Sequence, residues 1–261
     1  MAHGDTKNGD IMNYNWNWRI FWENSPDGSG TYMDALLMGL EWTVATALTA
    51  WVMALVLGAI IGTLRTAPNR WVVRLGNAYV ELFRNIPLLV QMFLWYFVLP
   101  ELLPTDAGNW LKLMPNASFI TAVIALGFFT SARVAVQVSA GINALSRGQK
   151  MAGVALGLTL PQTYRFVLLP MAFRIIIPAL TNEFAAIIKN SSVALTIGLL
   201  ELTAATRSMA EFSFQIFEAF TASTILYIAI SVIGILVSNW IERVTAVPGF
   251  ITGGKVKSGG H

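Results

Sequence analysis

Long apolar runs, separated by shorter polar segments, dominate the chain and predict helices that cross a membrane. A span needs about 20 mostly apolar residues at a rise of about 1.5 Å each. In lipid the backbone polar groups of such a run find partners only within a helix. The pattern therefore predicts an all-α, polytopic membrane protein. The five predicted spans cover residues 35–64, 78–99, 118–142, 173–200 and 220–241.

Two of the predicted spans contain polar interruptions. Pro87 is expected to kink the second span or to begin its buried part. In the same span Glu81 and Arg84 are spaced to pair at i, i+3. The fourth span holds Glu183 and the polar run 189–192. We expect that run to be a locally unwound helix that lines a cavity. The alternative is a helix interface built from small and hydroxyl side chains.

Composition agrees with a membrane protein and excludes several kinds of chemistry. Of the 261 residues 55% are hydrophobic and 12% are charged, against about 25% charged in soluble domains. There is no cysteine, which excludes disulfide and thiol chemistry. The two histidines stand at positions 3 and 261, so a buried histidine-based metal or acid–base site is not expected. The small net charge of +3 indicates no nucleic-acid surface.

The distribution of Lys and Arg predicts the orientation, because cytoplasmic loops carry the excess of these residues. One set of connections is rich in them and the other is poor. The N-terminus is therefore predicted to lie outside and the C-terminus inside. The rich set holds Arg65, Arg70, Arg74, Arg147, Lys150, Arg165, Arg174, Arg243, Lys255 and Lys257, and the poor set holds Lys7, Arg19, Lys112 and Arg207.

Three regions follow from this pattern. Residues 1–34 do not have the pattern of a cleavable signal peptide. They are predicted to be a periplasmic or interfacial segment, since Trp16, Trp18 and Trp22 suit the level of the lipid headgroups. Residues 35–248 form the transmembrane domain. Residues 249–261 are predicted to be a flexible cytoplasmic tail.

A polar loop on the predicted cytoplasmic side, residues 143–172, is too rich in Gly and Pro to span. Its first part, 149–156, favours a helix that stops at Gly157. Thr159 can cap a second short helix with a proline in its first turn, which we expect to end near Pro170. A helix–turn–helix that projects from a membrane domain is typical of a docking element that enters a groove.

The spacing within this loop resembles the signature Glu-Ala-Ala-x3-Gly-x9-Ile-x-Leu-Pro of ABC importer permeases. Gly157 and residues 167–170 keep the spacing, while Met151 and Gly153 replace the first Glu and the last Ala. In that family the loop docks in a cleft of the ATPase subunit; an ordinary amphipathic interfacial loop is the alternative. The resemblance implies an ATPase-coupling role for Gln149, Met151, Ala152, Gly153, Gly157, Arg165, Leu169 and Pro170.

The resemblance extends over about residues 35–248 to the permeases of polar amino-acid importers, the histidine/glutamine/glutamate group, and most strongly to glutamate/aspartate permeases. It rests on the motifs at 39–43, 79–91, 182–184, 189–192 and 197–198. It implies the type I permease fold and a bacterial inner-membrane location. The implied partners are a second, homologous permease chain, a homodimer of ATPase subunits and a periplasmic solute-binding protein. No cofactor is expected in this chain, because it lacks a phosphate loop, and ATP with Mg²⁺ would bind the partner ATPase.

A charged position in the third span suggests the substrate. Thr130, Arg133 and Gln137 fall on one helix face, and ionisable groups within a span face a polar interior by default. Related permeases commonly have Ala-Tyr-x-x-Glu where this chain has Ala-Arg-Val-Ala-Val, so positive charge is gained. Arg pairs bidentately with carboxylates, which predicts recognition of an acidic side chain. The alternatives are a structural pair with Glu183 or another subunit, and snorkelling. The predicted substrate-binding residues are Arg133, Thr130, Gln137, Asn190, Ser191 and Ser192.

The leading hypothesis is therefore the permease subunit of an ABC importer that moves glutamate or aspartate by alternating access, driven by ATP hydrolysis on partner subunits. The same machine with a neutral or basic polar amino acid is one alternative. A secondary transporter is a second, and the span number, the lack of an inverted repeat and the docking loop argue against it. An intramembrane enzyme is a third, but the spans lack clustered catalytic groups.

Overall fold

The computed structural model describes residues 14–26, 28 and 30–245, and these residues are mainly helical. The predicted tail 249–261 and the first part of the N-terminal segment lie outside the described residues. The α-helices are α1 Tyr32–Leu64, α2 Arg70–Asn85, α3 Leu88–Phe93, α4 Leu99–Leu102, α5 Thr105–Leu113, α6 Ala117–Ala144, α7 Arg147–Ala155, α8 Leu160–Thr163, α9 Leu169–Asn190, α10 Leu202–Ser213 and α11 Ile216–Thr245.

Shorter helical turns complete the chain. Two π-helical turns, Leu94–Val98 and Tyr164–Leu168, join α3 to α4 and α8 to α9. Two 3₁₀ helices cover Trp18–Trp22 and Ser191–Ile197. In the described part four helices are long and apolar enough to cross a membrane, and a bent pair makes a fifth if it is counted as one span. The all-α polytopic class is thus confirmed.

The first, third and fifth predicted spans correspond to α1, α6 and α11, whose ends lie within about four residues of the predicted ones. The fold is organised around α6, which packs most extensively on α1. A stripe of small residues on α1 makes this possible, because small side chains let two helix backbones approach closely. A Cβ at Gly58 would lie 2.5 Å from Val134 Cβ. The stripe, all buried, is Thr46, Ala50, Ala54, Gly58 and Gly62.

The second predicted span is a bent pair of helices that begins before the predicted residue 78 and ends after residue 99. The chain turns by 100° between Asn85 and Leu88. Ile86 is extended, as a residue before proline is favoured to be, so the expected kink at Pro87 is confirmed. The buried Gln91 side chain holds the bend: its amide nitrogen donates to the carbonyl oxygens of Phe83 and Ile86 at 2.8 and 2.9 Å.

The fourth predicted span starts earlier than the sequence suggested. The helical path runs from Leu160 to Ile197 without a break, so the predicted end of a short helix near Pro170 and the predicted start of the span at residue 173 were both wrong. Pro170 lies just after the π-helical turn, in which Leu169 N–H donates to Tyr164 O. A proline within an α-helix lacks one donor and clashes with the carbonyl four residues earlier. The wider π-helical turn changes the backbone hydrogen bonds at that point, because the Leu169 N–H bonds the carbonyl five residues earlier instead of four.

The N-terminal segment is tied to the start of α11 by Glu218. The Glu218 carboxylate is fully buried and accepts hydrogen bonds from the Tyr14 hydroxyl at 2.5 Å and from Asn17 N–H at 2.7 Å. Trp16 and Trp22 remain more than half exposed. The interfacial location of the segment stays a prediction.

Candidate functional site

A polar cavity of about 310 Å³ opens where α2, α6 and α9 meet. Each helix contributes a charged or polar side chain to it. In a chain whose exposed helix faces are mainly apolar, this concentration of charge identifies the cavity as the candidate site. Its lining residues are Arg84, Arg133, Val136, Gln137 and Glu183.

Arg133 and Glu183 form the central pair of this cavity. The Arg133 Nη1 lies 3.6 Å from Glu183 Oε2, and the guanidinium carbon lies 4.7 Å from the centre of the Phe129 ring. The distance is that of an ion pair and exceeds hydrogen-bond length. Glu183 Oε2 is accordingly buried with no hydrogen-bond partner in the described chain. The Arg133 side chain is 42% exposed, so its donors still face the open part of the cavity.

Arg84 is a site residue that the sequence pattern did not indicate. Its expected ion pair with Glu81 was wrong, because these two described side chains do not pair, in contrast to Arg133–Glu183 and Arg207–Glu211. Arg84 instead ends α2 next to the bend and lines the cavity. The packing of α2 against α6 brings it there, and the sequence pattern does not show this packing. The cavity wall thus carries two guanidinium groups and one carboxylate.

The other predicted substrate residues are placed differently. Gln137 lines the cavity with Arg133, whereas Thr130, on the same helix, is buried and outside its lining. Ser191 and Ser192 donate their hydroxyls to the carbonyls of Ile188 and Lys189, both at 2.7 Å.

The run that contains these serines is not unwound as the sequence suggested. The α-helix ends at Asn190, which is half-buried, and a tighter 3₁₀ helix follows. Hydroxyls that bond their own backbone favour such a tightened turn. Asn190, Ser191 and Ser192 do not belong to the lining of the polar cavity. Their substrate-binding role stays a prediction.

The predicted docking loop forms a short helix with a well-defined stop. Gly157 has a φ of +81°, in the left-handed region, and follows α7. Leu158 N–H donates to Gly153 O and Gly157 N–H to Val154 O, at 3.1 and 2.9 Å. These two bonds are a Schellman motif. The predicted stop at Gly157 is confirmed, and so is the Thr159 cap, which shares a capping box with Gln162.

The loop carries an exposed apolar surface, here named the docking surface. Large exposed apolar groups that are clustered at a surface mark protein contact sites. Arg165 is also exposed and lies beside this surface, with its guanidinium 5.5 Å from the Phe166 ring centre. Three of its members were not singled out from the sequence. The docking surface consists of Met151, Val154, Leu156 and Phe166, which are 70%, 55%, 81% and 61% exposed.

The remaining predicted coupling residues connect this surface to the bundle. Ala152 is exposed, and Gln149 is half-buried. Gly153 is buried against Thr163, because a Cβ at Gly153 would lie 2.8 Å from Thr163 Cγ2. Leu169 is partly buried and packs against the hydrophobic cluster around Val134 and Leu168, whereas Pro170 is exposed. Direct contact with a partner subunit by these residues stays a prediction.

A buried carboxylate outside the cavity has a structural explanation. Glu201 caps α10: its side chain accepts hydrogen bonds from the N–H groups of Thr203 and Ala204, each at 2.9 Å, and from the Tyr227 hydroxyl at 2.9 Å. Burial raises the pKa of Glu201, and these donors act in the opposite direction. The group therefore fixes the start of α10 against α11. Among the residues that the structure describes, no group of three His, Asp or Glu could hold a metal ion.

Comparison with known proteins gives three findings. Residues 54–246 match the family described as binding-protein-dependent transport system inner membrane components. The chain is 47% identical to the glutamate/aspartate import permease protein GltJ of Escherichia coli (strain K12), over 93% of this chain and 100% of that protein. It is 29% identical to the glutamate/aspartate import permease protein GltK of Escherichia coli O6:H1, over 81% of this chain and 93% of that protein.

A solved structure agrees in fold. A crystal structure of an amino acid ABC transporter with histidines matches with a TM-score of 0.69 and 28% identity, and it covers 82% of this chain and 95% of the matched chain. The match thus extends over most of both chains. The expected permease fold is thereby confirmed.

Proposed function

Because this chain belongs to the family of binding-protein-dependent transport system inner membrane components, we propose that it is the permease subunit of an ATP-driven importer of glutamate or aspartate. The chain is a membrane component of an amino-acid ABC transporter, and ATP hydrolysis belongs to a separate subunit. We expect a homodimer of that ATPase, with its ATP and Mg²⁺, to bind the docking surface. A second, different permease and a periplasmic binding protein complete the proposed complex in the bacterial inner membrane. The similarity to both GltJ and GltK supports a pair of different permeases.

The observation that carries the choice of an acidic substrate is the charge of the polar cavity. Two guanidiniums and one carboxylate line about 310 Å³, a volume at the lower end of the range for small-molecule sites. An anionic amino acid brings two carboxylates and one ammonium, which complements this set of charges. A neutral amino acid would leave one of the two arginines without a carboxylate and would lose one charge-assisted, bidentate pair.

The individual atoms suggest how the substrate is held. Glu183 Oε2 is buried and lacks a donor, and the substrate ammonium would supply one. Arg133 presents planar donors that suit a bidentate carboxylate, and Gln137, four residues further along α6, can accept or donate at its edge. Arg84 would take the second carboxylate. These groups come from three helices, so a change in their packing would open or dismantle the site, as alternating access requires.

A panel of substrates tests this proposal. The chain is reconstituted in liposomes with its ATPase, its second permease and its binding protein, and uptake of labelled glutamate, aspartate, glutamine, histidine and arginine is measured with ATP inside. We expect uptake of glutamate and aspartate well above that of the neutral and basic amino acids. Preferential uptake of glutamine or arginine would assign the same machine to another substrate, whereas ATP-independent uptake would contradict an ABC importer.

The proposed orientation is tested by cysteine labelling, for which the natural absence of cysteine provides the background. Asp106 lies in the exposed first turn of α5, and the exposed Ser146 precedes α7. In intact spheroplasts Asp106→Cys should react with a membrane-impermeant maleimide, and Ser146→Cys should react only after permeabilisation. Labelling of Ser146→Cys from outside would contradict a cytoplasmic docking loop and an external N-terminus.

A further inference from the structure

We propose that Tyr164 and Arg65 are positioning residues that connect the docking helix α7 to the wall of the polar cavity. The inference rests on the proposed docking of the ATPase at α7, and it does not depend on which amino acid is carried. Three consecutive contacts between the loop and the cavity carry it. They lead from the loop to the turn after α1, and from that turn to α2 and α6.

The first contact joins α7 to the start of the long fourth helix. Gly153 lies against the buried Thr163, at a distance that leaves no room for a Cβ. Tyr164 follows Thr163 directly and begins the π-helical turn. A displacement of α7 by a partner subunit would therefore press on the residue next to Tyr164.

The second contact crosses to the cytoplasmic end of α1. The Tyr164 ring is buried, and its hydroxyl donates to the carbonyl oxygen of Thr66 at 2.7 Å. Thr66 belongs to the turn that joins α1 to α2, far from Tyr164 in the sequence. The same hydroxyl accepts from Thr66 Oγ1 at 3.3 Å, so two hydrogen bonds link the π-helical turn to the α1–α2 turn.

The third contact joins that turn to two of the helices that line the cavity. Arg65, next to Thr66, donates through Nε to Asn77 Oδ1 at 2.8 Å and through Nη1 to Ser139 Oγ at 3.0 Å. Asn77 lies on α2, whose last turn carries Arg84. Burial, and then the charge of Arg84, lowers the pKa of Arg65, and the charge of Glu81 acts in the opposite direction.

The last step reaches the cavity lining itself. Ser139 Oγ accepts from Arg65 and donates to the carbonyl oxygen of Val136 at 3.0 Å. Val136 lines the polar cavity on α6, between Arg133 and Gln137. The forked guanidinium of Arg65 thus joins α2 and α6 at once, which a lysine ammonium on a flexible stem does not reproduce. A chain of contacts is evidence of coupling only when both ends respond to it, and this is measurable.

The test compares the assembled complex with Tyr164→Phe and with Arg65→Lys. Tyr164→Phe removes one hydroxyl and keeps the buried ring. We expect ATPase binding and basal ATP hydrolysis to be unchanged within about twofold. The number of glutamate molecules moved per ATP should fall about fivefold, which corresponds to about 1 kcal/mol at 1.4 kcal/mol per factor of ten. Arg65→Lys should cause a loss of similar size.

Tyr79→Phe is the matched control. The Tyr79 hydroxyl also makes a hydrogen bond between two helices, to Ser131 Oγ of α6 at 2.7 Å, but it lies outside the three contacts. Its transport per ATP should remain near that of the natural protein. The double variant Tyr164→Phe/Arg65→Lys should be no worse than the worse single variant, because both interrupt one series of contacts.

Either of two results would overturn the inference. One is a fully assembled Tyr164→Phe complex with unchanged transport per ATP, and the other is an equal loss in Tyr79→Phe. Failure of the proposed function has a different signature: the natural complex would not take up glutamate, or the ATPase would not bind. If another amino acid from the panel is transported, the same ratio is measured with that amino acid.

Discussion

Arg133→Ala is expected to weaken the apparent affinity for glutamate by about one to two orders of magnitude, while the complex still assembles. A hydrogen bond to a charged group contributes roughly 1.5–3 kcal/mol, and each 1.4 kcal/mol is a factor of ten. Arg133 is suited to this role because its donors face the cavity and its only described ion-pair contact, at 3.6 Å, is a loose one. The measurement is the glutamate concentration that half-saturates uptake and ATP hydrolysis in liposomes.

Two further arginine variants make the result specific. Arg133→Lys should restore only part of the affinity, because the planar fork is lost. Arg207→Ala is the matched control: Arg207 is exposed on α10 and pairs with Glu211 at 2.7 Å, and exposed pairs of this kind contribute little. A stable Arg133→Ala complex that transports glutamate normally would refute the recognition role.

The competing hypothesis, that Arg133 braces the bundle through Glu183, predicts another outcome. Removing Arg133 would leave the mostly buried Glu183 carboxylate uncompensated, which is destabilising, and the 42% exposure of Arg133 makes this loss smaller than for a fully buried pair. Under that hypothesis Arg133→Ala should lower the thermal stability of the complex, and adding Glu183→Gln should recover most of it. Under substrate recognition, both single variants lose affinity and neither loses much stability. Thermal unfolding and half-saturation, measured on the same preparations, separate the two.

Gly157→Val is expected to reduce transport at least about tenfold by disturbing the docking helix. A Cβ at Gly157 would meet nothing within 4 Å, so the cost is in the backbone and not in a collision. Holding a non-glycine residue in a sparsely populated conformation costs about 1–3 kcal/mol, and a β-branched residue is among the least tolerant of positive φ. The Schellman stop would then reorganise, and the docking surface would be presented at another angle. Transport and ATP hydrolysis in the assembled complex measure the effect.

Several variants in the same loop serve as controls. Gly157→Asn should keep most activity, since Asn tolerates the left-handed region better than other residues. Gly148→Ala should be neutral, because its Cβ would meet only Ser146 Oγ at an ordinary 3.8 Å. Met151→Glu, at a 70% exposed position, should also be tolerated. Full transport and normal stimulation of ATP hydrolysis in Gly157→Val would show that α7 does not depend on this stop.

Two Leu-Pro pairs show the limit of predicting helix ends from the local sequence pattern. Leu99-Pro100 and Leu169-Pro170 each follow a π-helical turn, in which the leucine N–H bonds five residues back, to Leu94 and Tyr164. From the sequence, Pro170 was interpreted as a helix end, because proline usually is one. The wider turn keeps the helix continuous at both sites. The local sequence does not distinguish a continuous helix with a π-helical turn from a helix break. At Pro87, by contrast, the preceding Ile86 is extended and the helix does break.

The candidate site was predictable on one helix only. Arg133 and Gln137 were identified because helical spacing places i and i+4 on one face. Arg84 was missed because its place in the cavity depends on the packing of α2 against α6, which are distant in the sequence. Ser191 and Ser192 were included because the polar run 189–192 suggested a locally unwound helix that lines a cavity, but their hydroxyls bond the preceding turn.

The sequence by itself determined the features that depend on the length of an apolar run or on residues close together in the chain. The length of each apolar run predicted α1, α6 and α11, since crossing a bilayer requires a set number of helical residues. The glycine stop and the threonine cap of the docking loop were predictable from the sequence, because each satisfies the hydrogen bonds of backbone groups within a few residues. The spacing of that loop also indicated the family.

What only the tertiary structure decided is how distant residues meet. The ion pair of Arg133 with Glu183, the arrival of Arg84 in the cavity and the link from Tyr164 through Arg65 to Val136 each join different helices. A charged side chain within the membrane must find a partner, water or a substrate. Which of these it finds depends on bends and packing distances set by many residues together, such as the bend at Pro87 and the small-residue stripe of α1.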